Sequence, residues 1–189
     1  MSGRSTPSQT VGPFYSIGLS WLERSDLTEG VTGGIRITIR GRVLDGDNQP
    51  VPDAVLEIWQ ADAKGRYAHP EDAHDLLGPN HFWGFGRVPV NDQGEFCFST
   101  IKPGSIPMPN QVKQAPHLVV SVFMRGLLRR LITRIYFPAE SANDSDAVLA
   151  RVPAPRRQTL IATGDAVDKQ TLRWDVHLQG DNETVFFDY

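Results

Sequence analysis

The chain of 189 residues has a single cysteine, Cys97. An internal disulfide therefore has no second partner, and a metal centre built on several thiolates is excluded. Chains that need no disulfide suit a reducing compartment, so we expect this protein in the cytoplasm. Cys97 stands in the short apolar run EFCFS. There we predict a buried or half-buried small side chain rather than a nucleophile.

Long apolar runs and a basic excess are also missing. No run approaches the ~20 apolar residues that a membrane-spanning helix requires, and we expect no secretory signal in MSGRSTPSQTVGPFY, which has no apolar segment. The 19 Lys and Arg are outnumbered by 22 Asp and Glu, which argues against a general nucleic-acid binder. With 40% hydrophobic residues, the chain is expected to form one globular domain over residues 1–189.

Turn residues are plentiful, with 17 glycines and 14 prolines separating short runs of branched and aromatic side chains. Residues 35–44 alternate between apolar and polar, which predicts a half-buried strand, and 55–60 is predicted to return beside it. GRVPV and EFCFS, on either side of NDQG, predict a hairpin. Residues 117–123 are apolar on both faces, which predicts a central strand.

The rest of the chain continues this pattern. Further strands are predicted at 131–138, 171–180 and 183–189, and one short helix is predicted within 141–152. Seven or more short strands with regular turn signals are typical of a sandwich or barrel. We therefore predict an all-β fold, a β-sandwich of mostly antiparallel strands with long loops.

Two segments do not fit the strand pattern. Residues 1–30 have no clear period, and we interpret them as an extended arm that packs on a partner chain. Residues 61–83 are predicted to be a long loop, a feature that is usually functional or disordered. Three histidines in this loop have a spacing compatible with a metal site: His69, His74 and His81. Loop histidines are more often solvated or turn-stabilising, and that is the expectation here.

Several motifs follow one another along nearly the whole chain. They are TPSQTVGPF (6–14), VLEIWQADAKGRY (55–67), GFGR (84–87), TIKPG (100–104), PHLVVSVFMRG (116–126), TRIYFP (133–138) and ETVFFDY (183–189). In these motifs the chain resembles the protocatechuate 3,4-dioxygenases, members of the intradiol ring-cleavage dioxygenase family. The first and last motifs are most similar to the alpha subunits of that group.

The resemblance implies a β-sandwich and a role in aromatic catabolism, in the β-ketoadipate pathway. The alpha subunit would shape an active site in which 3,4-dihydroxybenzoate and O2 give 3-carboxy-cis,cis-muconate. It would do so in a hetero-oligomer of αβ pairs, with Fe(III) held by the iron-binding beta subunit.

The family's ferric iron is held by two Tyr and two His, and this chain keeps only half of that set. By the resemblance, the first Tyr matches Tyr67 and the first His matches His117. The second Tyr position falls on Ile106, and the second His position on Val119. Aliphatic side chains cannot coordinate a metal, and one phenolate with one imidazole leaves a ferric ion undercoordinated. The chain is therefore expected to hold no catalytic iron, with Tyr67 and His117 hydrogen-bonded in place.

The resemblance also indicates what this chain lends to the partner's site. The Arg of the F-x-RG motif matches Arg125, and a guanidinium binds carboxylates through a planar fork of N–H groups. We expect Arg125 to orient substrate or shape the mouth of the site, with a structural interface ion pair as the alternative. Thr10, Gly12 and Pro13 match the segment that lines the partner's pocket. Phe14 stands where relatives often have Tyr, so a hydroxyl is missing there.

Arg134 matches a glutamine close to the iron in iron-binding chains. We call the region of Tyr67, Ile106, His117 and Val119 the degenerate pocket. We expect the Arg134 side chain to fill space there that a substrate would otherwise use. Two further classes of function stay open. A stand-alone enzyme with an altered metal site is disfavoured by Ile106 and Val119, and a non-catalytic β-sandwich module for binding or assembly is compatible with the fold alone.

Overall fold

The computed structural model describes residues 6–72, 82–108 and 113–188. The strands in these ranges are β1 (Arg36–Leu44), β2 (Val55–Gln60), β3 (Phe85–Pro89), β4 (Glu95–Ile101), β5 (Ile106–Pro107), β6 (Lys113–Gln114), β7 (His117–Phe123), β8 (Leu131–Tyr136), β9 (Thr163–Gly164), β10 (Thr171–Arg173) and β11 (Val176–His177). The helices are α1 (Phe14–Ile17) and 3-10 turns at Ser20–Leu22, Ser141–Ser145, Leu149–Arg151 and Ala154–Leu160. Within the described ranges, every helix is too short or too polar to cross a bilayer.

Two sheets pack face to face. One is antiparallel, in the order β3-β2-β7-β8. In the other, β1 is central, with β4 antiparallel on one side, β10 and β11 parallel along the other side, and β9 beyond β10. This arrangement confirms the predicted all-β sandwich.

The alternation of β1 builds the core from one side. Ile37, Ile39 and Val43 are buried between the sheets, while Arg40 points to solvent. Gly41 breaks the series for a steric reason, since a Cβ there would lie 1.7 Å from the carbonyl oxygen of Trp174. The segment that joins β10 to β11 can therefore lie close to β1 only where the side chain is absent.

The four-stranded sheet closes the core through β7, which confirms the predicted central strand. Leu118, Val120 and Val122 are fully buried against the sheet that contains β1. The alternate residues of β7 point away from the sandwich, onto what we call the outer face of the four-stranded sheet. This face positions the candidate site.

Several predicted elements are wrong in detail. The hairpin is wrong because β3 pairs with β2 and β4 pairs with β1, so the turn between them crosses from one sheet to the other. For the same reason β2 does not return beside β1. Alternation shows which face of a strand is buried, and it carries no information about the neighbouring strand.

The C-terminal half also differs from prediction. The expected helix within 141–152 is two short 3-10 turns, and 171–180 is divided into β10 and β11. Residues 183–188 form no strand and make one isolated bridge, Phe187 to Ile132. Cys97 is exposed rather than buried, because its neighbours Phe96 and Phe98 take the core side of β4.

Candidate functional site

The predicted degenerate pocket lies on the outer face, around the first residues of β7. His117 is opposite Tyr136 on β8, and Val119 has Arg134 on one side and Trp59 on the other. The Trp59 ring stacks on Tyr67 with centroids 5.6 Å apart. Tyr67 and Ile106 line one open cleft of about 540 Å³ together with Trp59. The structure thus brings the predicted positions into one region.

Arg134 stands opposite Val119 on β8 and is only 8% exposed. Its Nη1 donates to Gln114 Oε1 at 2.9 Å and lies 3.4 Å from the Tyr136 hydroxyl. The guanidinium therefore places a permanent positive charge beside Val119, one of the two predicted ligand positions that lack a donor atom.

Asp146 accepts a hydrogen bond from Tyr136 and so joins the hydrogen bonds around Arg134. Its role was not predicted from the sequence. Its side chain is fully buried, and one oxygen accepts the Ala115 N–H at 2.8 Å. The other accepts the Tyr136 hydroxyl at 3.1 Å and the N–H groups of Val148 and Leu149 at 2.9 and 2.7 Å. An Asp placed two residues before an apolar pair is a capping signal in the sequence, but the sequence does not show that this Asp also reaches β8.

His117 is fixed as a neutral ring. Its Nδ1 lies 2.8 Å from the carbonyl oxygen of Ala115, so Nδ1 carries the proton and donates it. Burial, followed by the positive charge of Arg134, lowers the pKa of His117 to about 4. Burial also raises the pKa of Tyr136, so its hydroxyl stays protonated and donates to Asp146. These contacts agree with the expectation that His117 is hydrogen-bonded in place.

A ferric ion does not fit this set of side chains. Ile106 and Val119 offer no donor atom, and Arg134 adds a buried cation opposite Val119. Across the described ranges, no three His, Cys, Asp or Glu side chains come close enough to hold a metal. Of the loop histidines, His69 is exposed and its Nδ1 accepts the Glu71 N–H at 3.2 Å, as expected for a turn. His74 and His81 lie outside the described residues.

Thr10 and Arg125, which are predicted to contribute to the partner's active site, lie close together beyond the C-terminal end of β7. The Thr10 hydroxyl accepts the Gly126 N–H at 2.7 Å, which brings the arm beside Arg125. Arg125 is 64% exposed on its side chain, and its Nε lies 3.0 Å from Asp53. Since a strand rises about 3.3 Å per residue, His117 and Phe123 are roughly 20 Å apart. Arg125 therefore belongs to a surface separate from this chain's own degenerate pocket.

Tyr15 fixes the arm between these two regions and was also missed. Its hydroxyl donates to Glu57 Oε1 at 3.0 Å and accepts from Arg87 Nη1 at 2.9 Å. Arg87 also pairs with Glu57 at 2.7 Å and donates through Nη2 to the Tyr15 carbonyl at 2.7 Å. Glu57 and Arg87 stand opposite each other on β2 and β3. Their motifs were visible in the sequence, but their pairing depends on the sheet order.

The other side of the arm is apolar and unburied. Phe14, Ile17 and Trp21 are 78%, 70% and 76% exposed. From Arg24 onward the segment joins its own domain, since Arg24 bridges to Arg87 and Leu27 is buried in the core.

The family model described as Dioxygenase matches residues 12–180. The chain belongs to the intradiol ring-cleavage dioxygenase family. This intradiol dioxygenase chain is 42% identical over 199 residues to the protocatechuate 3,4-dioxygenase alpha chain of Pseudomonas putida, and the match covers 97% of this chain and 96% of that protein. The predicted family is thereby confirmed.

Other relatives in the intradiol family are less similar. The protocatechuate 3,4-dioxygenase beta chain of Burkholderia cepacia is 38% identical over 144 residues, which cover 75% of this chain and 61% of that protein. The solved intradiol ring-cleavage dioxygenase of Tetranychus urticae shares the fold, with a TM-score of 0.65 at 19% identity, over 85% of this chain and 90% of that one.

Proposed function

We propose that this chain is the alpha subunit of a protocatechuate 3,4-dioxygenase and works with an iron-binding beta subunit. The reaction inserts both atoms of O2 between the hydroxyl-bearing carbons of 3,4-dihydroxybenzoate, giving 3-carboxy-cis,cis-muconate. The observation that carries this proposal is the 42% identity over nearly the full length of an alpha chain. The side chains of the degenerate pocket support the assignment of Fe(III) to the partner.

This chain would supply the binding surface rather than the metal. The exposed fork of Arg125 suits a substrate carboxylate, which must be paired when it is buried. Thr10 accepts the N–H of Gly126, the residue after Arg125, and Gly12 and Pro13 follow Thr10 closely in the chain. A Cβ on Gly12 would meet nothing within 4 Å. This open space would let a partner or substrate approach the backbone closely.

The exposed side of the arm supports a permanent assembly. Phe14, Ile17 and Trp21 together present an apolar surface of the kind that protein partners cover. An αβ hetero-oligomer is thus the proposed working form. The cytoplasm is its proposed location, since the only thiol of the chain, Cys97, is exposed and would stay reduced there.

The test is to measure iron content and protocatechuate-dependent O2 uptake for this chain alone and co-expressed with a candidate beta subunit. Iron and turnover only in the co-purified complex are expected. Stoichiometric iron and turnover from this chain alone would contradict the assignment of the metal to the partner. Iron and O2 uptake that are the same for the partner with and without this chain would favour a non-catalytic assembly module.

A further inference from the structure

Between residues 6 and 24 the arm crosses the outer face of the four-stranded sheet, and three of its attachments there define its path. At the edge strand β3, the backbone of Arg24 pairs with that of Arg87. In the middle, Tyr15 is held by Arg87 and Glu57. Beyond the end of β7, the Thr10 hydroxyl accepts the Gly126 N–H. Gly12 and Pro13 lie between the last two attachments.

The central attachment involves the most side chains of the three. The Arg87 side chain is 4% exposed and uses both terminal nitrogens, one on Glu57 and the Tyr15 hydroxyl and the other on the Tyr15 carbonyl. Its guanidinium carbon also lies 4.2 Å from the centre of the Tyr15 ring. The ring also contacts the Phe123 ring, with centroids 5.0 Å apart. Tyr15 is thus held by residues of β2, β3 and β7 at once.

A buried ion pair contributes little net stability, because desolvation offsets much of the attraction between the charges. It does impose a specific geometry, since a planar fork is satisfied in one orientation only. An apolar contact would have held the arm on the sheet without fixing its position along the sheet. The choice of Arg, Glu and Tyr therefore suggests that the exact placement of the arm matters.

We propose that Arg87, Glu57 and Tyr15 form a clamp of positioning residues that presents Gly12 and Pro13 at a fixed place beside Arg125. This inference rests on the proposed function, in which those residues line the partner's substrate pocket. The clamp is made within this chain, so the pocket wall is organised before the partner binds. Loss of the clamp should then raise KM for the substrate, while kcat changes less.

The experiment compares Tyr15→Phe, Arg87→Lys and Glu57→Gln with wild type in the co-purified complex. Arg87→Lys keeps the charge but cannot reach Glu57 and both Tyr15 oxygens, so KM should rise about 10-fold with kcat within about 2-fold. Tyr15→Phe removes only the hydroxyl, and a rise in KM of about 3- to 5-fold is expected. Glu57→Gln keeps an acceptor oxygen, so its KM should be the closest to that of wild type. Iron content should be unchanged in all three.

The matched control is Glu95→Gln. It breaks the Arg42–Glu95 pair, which also joins adjacent strands at 2.7 Å but lies on the other sheet, away from the arm. This variant should leave KM and kcat unchanged.

Amide hydrogen exchange provides a readout independent of catalysis. The N–H groups of Ile17 and Gly18 bond to the carbonyls of Pro13 and Phe14, and their exchange should accelerate in Tyr15→Phe and Arg87→Lys. Unchanged exchange would overturn the clamp itself, and faster exchange with an unchanged KM would overturn its positioning role. If the wild-type complex does not consume O2 with protocatechuate, the proposed function fails, and exchange still decides whether the clamp holds the arm.

Discussion

Arg125 is tethered by one ion pair, 3.0 Å from Asp53, and most of its side chain remains exposed. Exposed pairs contribute about 0–1 kcal/mol, so Asp53 aims the guanidinium without adding much stability. This separates the two interpretations of Arg125. A substrate-binding role depends on the fork itself, whereas a structural pair depends equally on both partners.

Arg125→Ala should raise KM for protocatechuate by about 10- to 100-fold, because a charge-assisted hydrogen bond to the carboxylate is lost. Arg125→Lys should recover part of that loss. Asp53→Asn should have a smaller effect, since the arginine remains. Steady-state O2 uptake by the co-purified complex measures each value, with Arg151→Ala, an exposed arginine in a 3-10 turn, as control. Equal effects of Arg125→Ala and Asp53→Asn would favour the structural pair.

Because of the positive charge of Arg134, we expect that restoring the missing ligand side chains alone will not restore iron binding to the degenerate pocket. The double variant Ile106→Tyr with Val119→His restores four donor side chains, yet the fixed guanidinium repels a ferric ion in a pocket of low dielectric. Iron uptake is expected only when Arg134→Gln is added. Iron per chain and the visible absorption of a phenolate–Fe(III) pair measure this. Arg129→Gln, which changes an exposed arginine, is the control in the same background, and full loading with Arg134 intact would disprove the argument.

At the scale of elements, the segment of two 3-10 turns at Ser141–Ser145 and Leu149–Arg151 has little regular structure to hold it. Asp146 lies between the turns and takes its four hydrogen bonds from three places: Ala115 ahead of β7, Tyr136 on β8, and the second turn itself. A buried carboxylate with every contact donated to it is sensitive to any change in its acceptors.

Asp146→Asn replaces one acceptor oxygen with an NH2 group that must face a donor. The free energy of unfolding should fall by about 2–4 kcal/mol. Asp144→Asn, in the exposed part of the first turn, should change it by less than about 0.5 kcal/mol. Urea unfolding measures both variants. A loss below about 1 kcal/mol for Asp146→Asn would mean that the apolar contacts of Leu149 and Leu160, rather than the carboxylate, hold this segment.

For the molecule as a whole, local patterns predicted the strands and their buried faces, and they could not predict the strand order. The periods of β1 and β7 are set by burial, which each strand shows in its own residues. The separation of β3 from β4 into two sheets depends on contacts between distant residues. The same distinction applies to the site: identities at Ile106 and Val119 could be read directly, whereas the Asp146 network and the Tyr15 clamp appear only once the sheets are assembled.

His117 links the degenerate pocket to the stability of the entire fold. Its pKa is about 4 in the folded chain, against about 6.5 when unfolded. Between these values the unfolded state binds one more proton than the folded state, so stability falls as pH decreases from 6.5 towards 4 and levels off below. The groups that face the ring from β8 and the 3-10 segment are Arg134, Tyr136 and Asp146.

Because His117 is buried and neutral, it should lower the free energy of unfolding by on the order of 2 kcal/mol when the pH falls from 7.5 to 4.5. His117→Asn keeps an N–H donor for the Ala115 carbonyl but cannot titrate, so its stability should depend less on pH by that amount. Urea unfolding at both pH values, compared between wild type and variant, cancels the carboxylates that both share. Equal pH dependence would mean that His117 becomes protonated without unfolding, and that the pocket can admit a second positive charge beside Arg134.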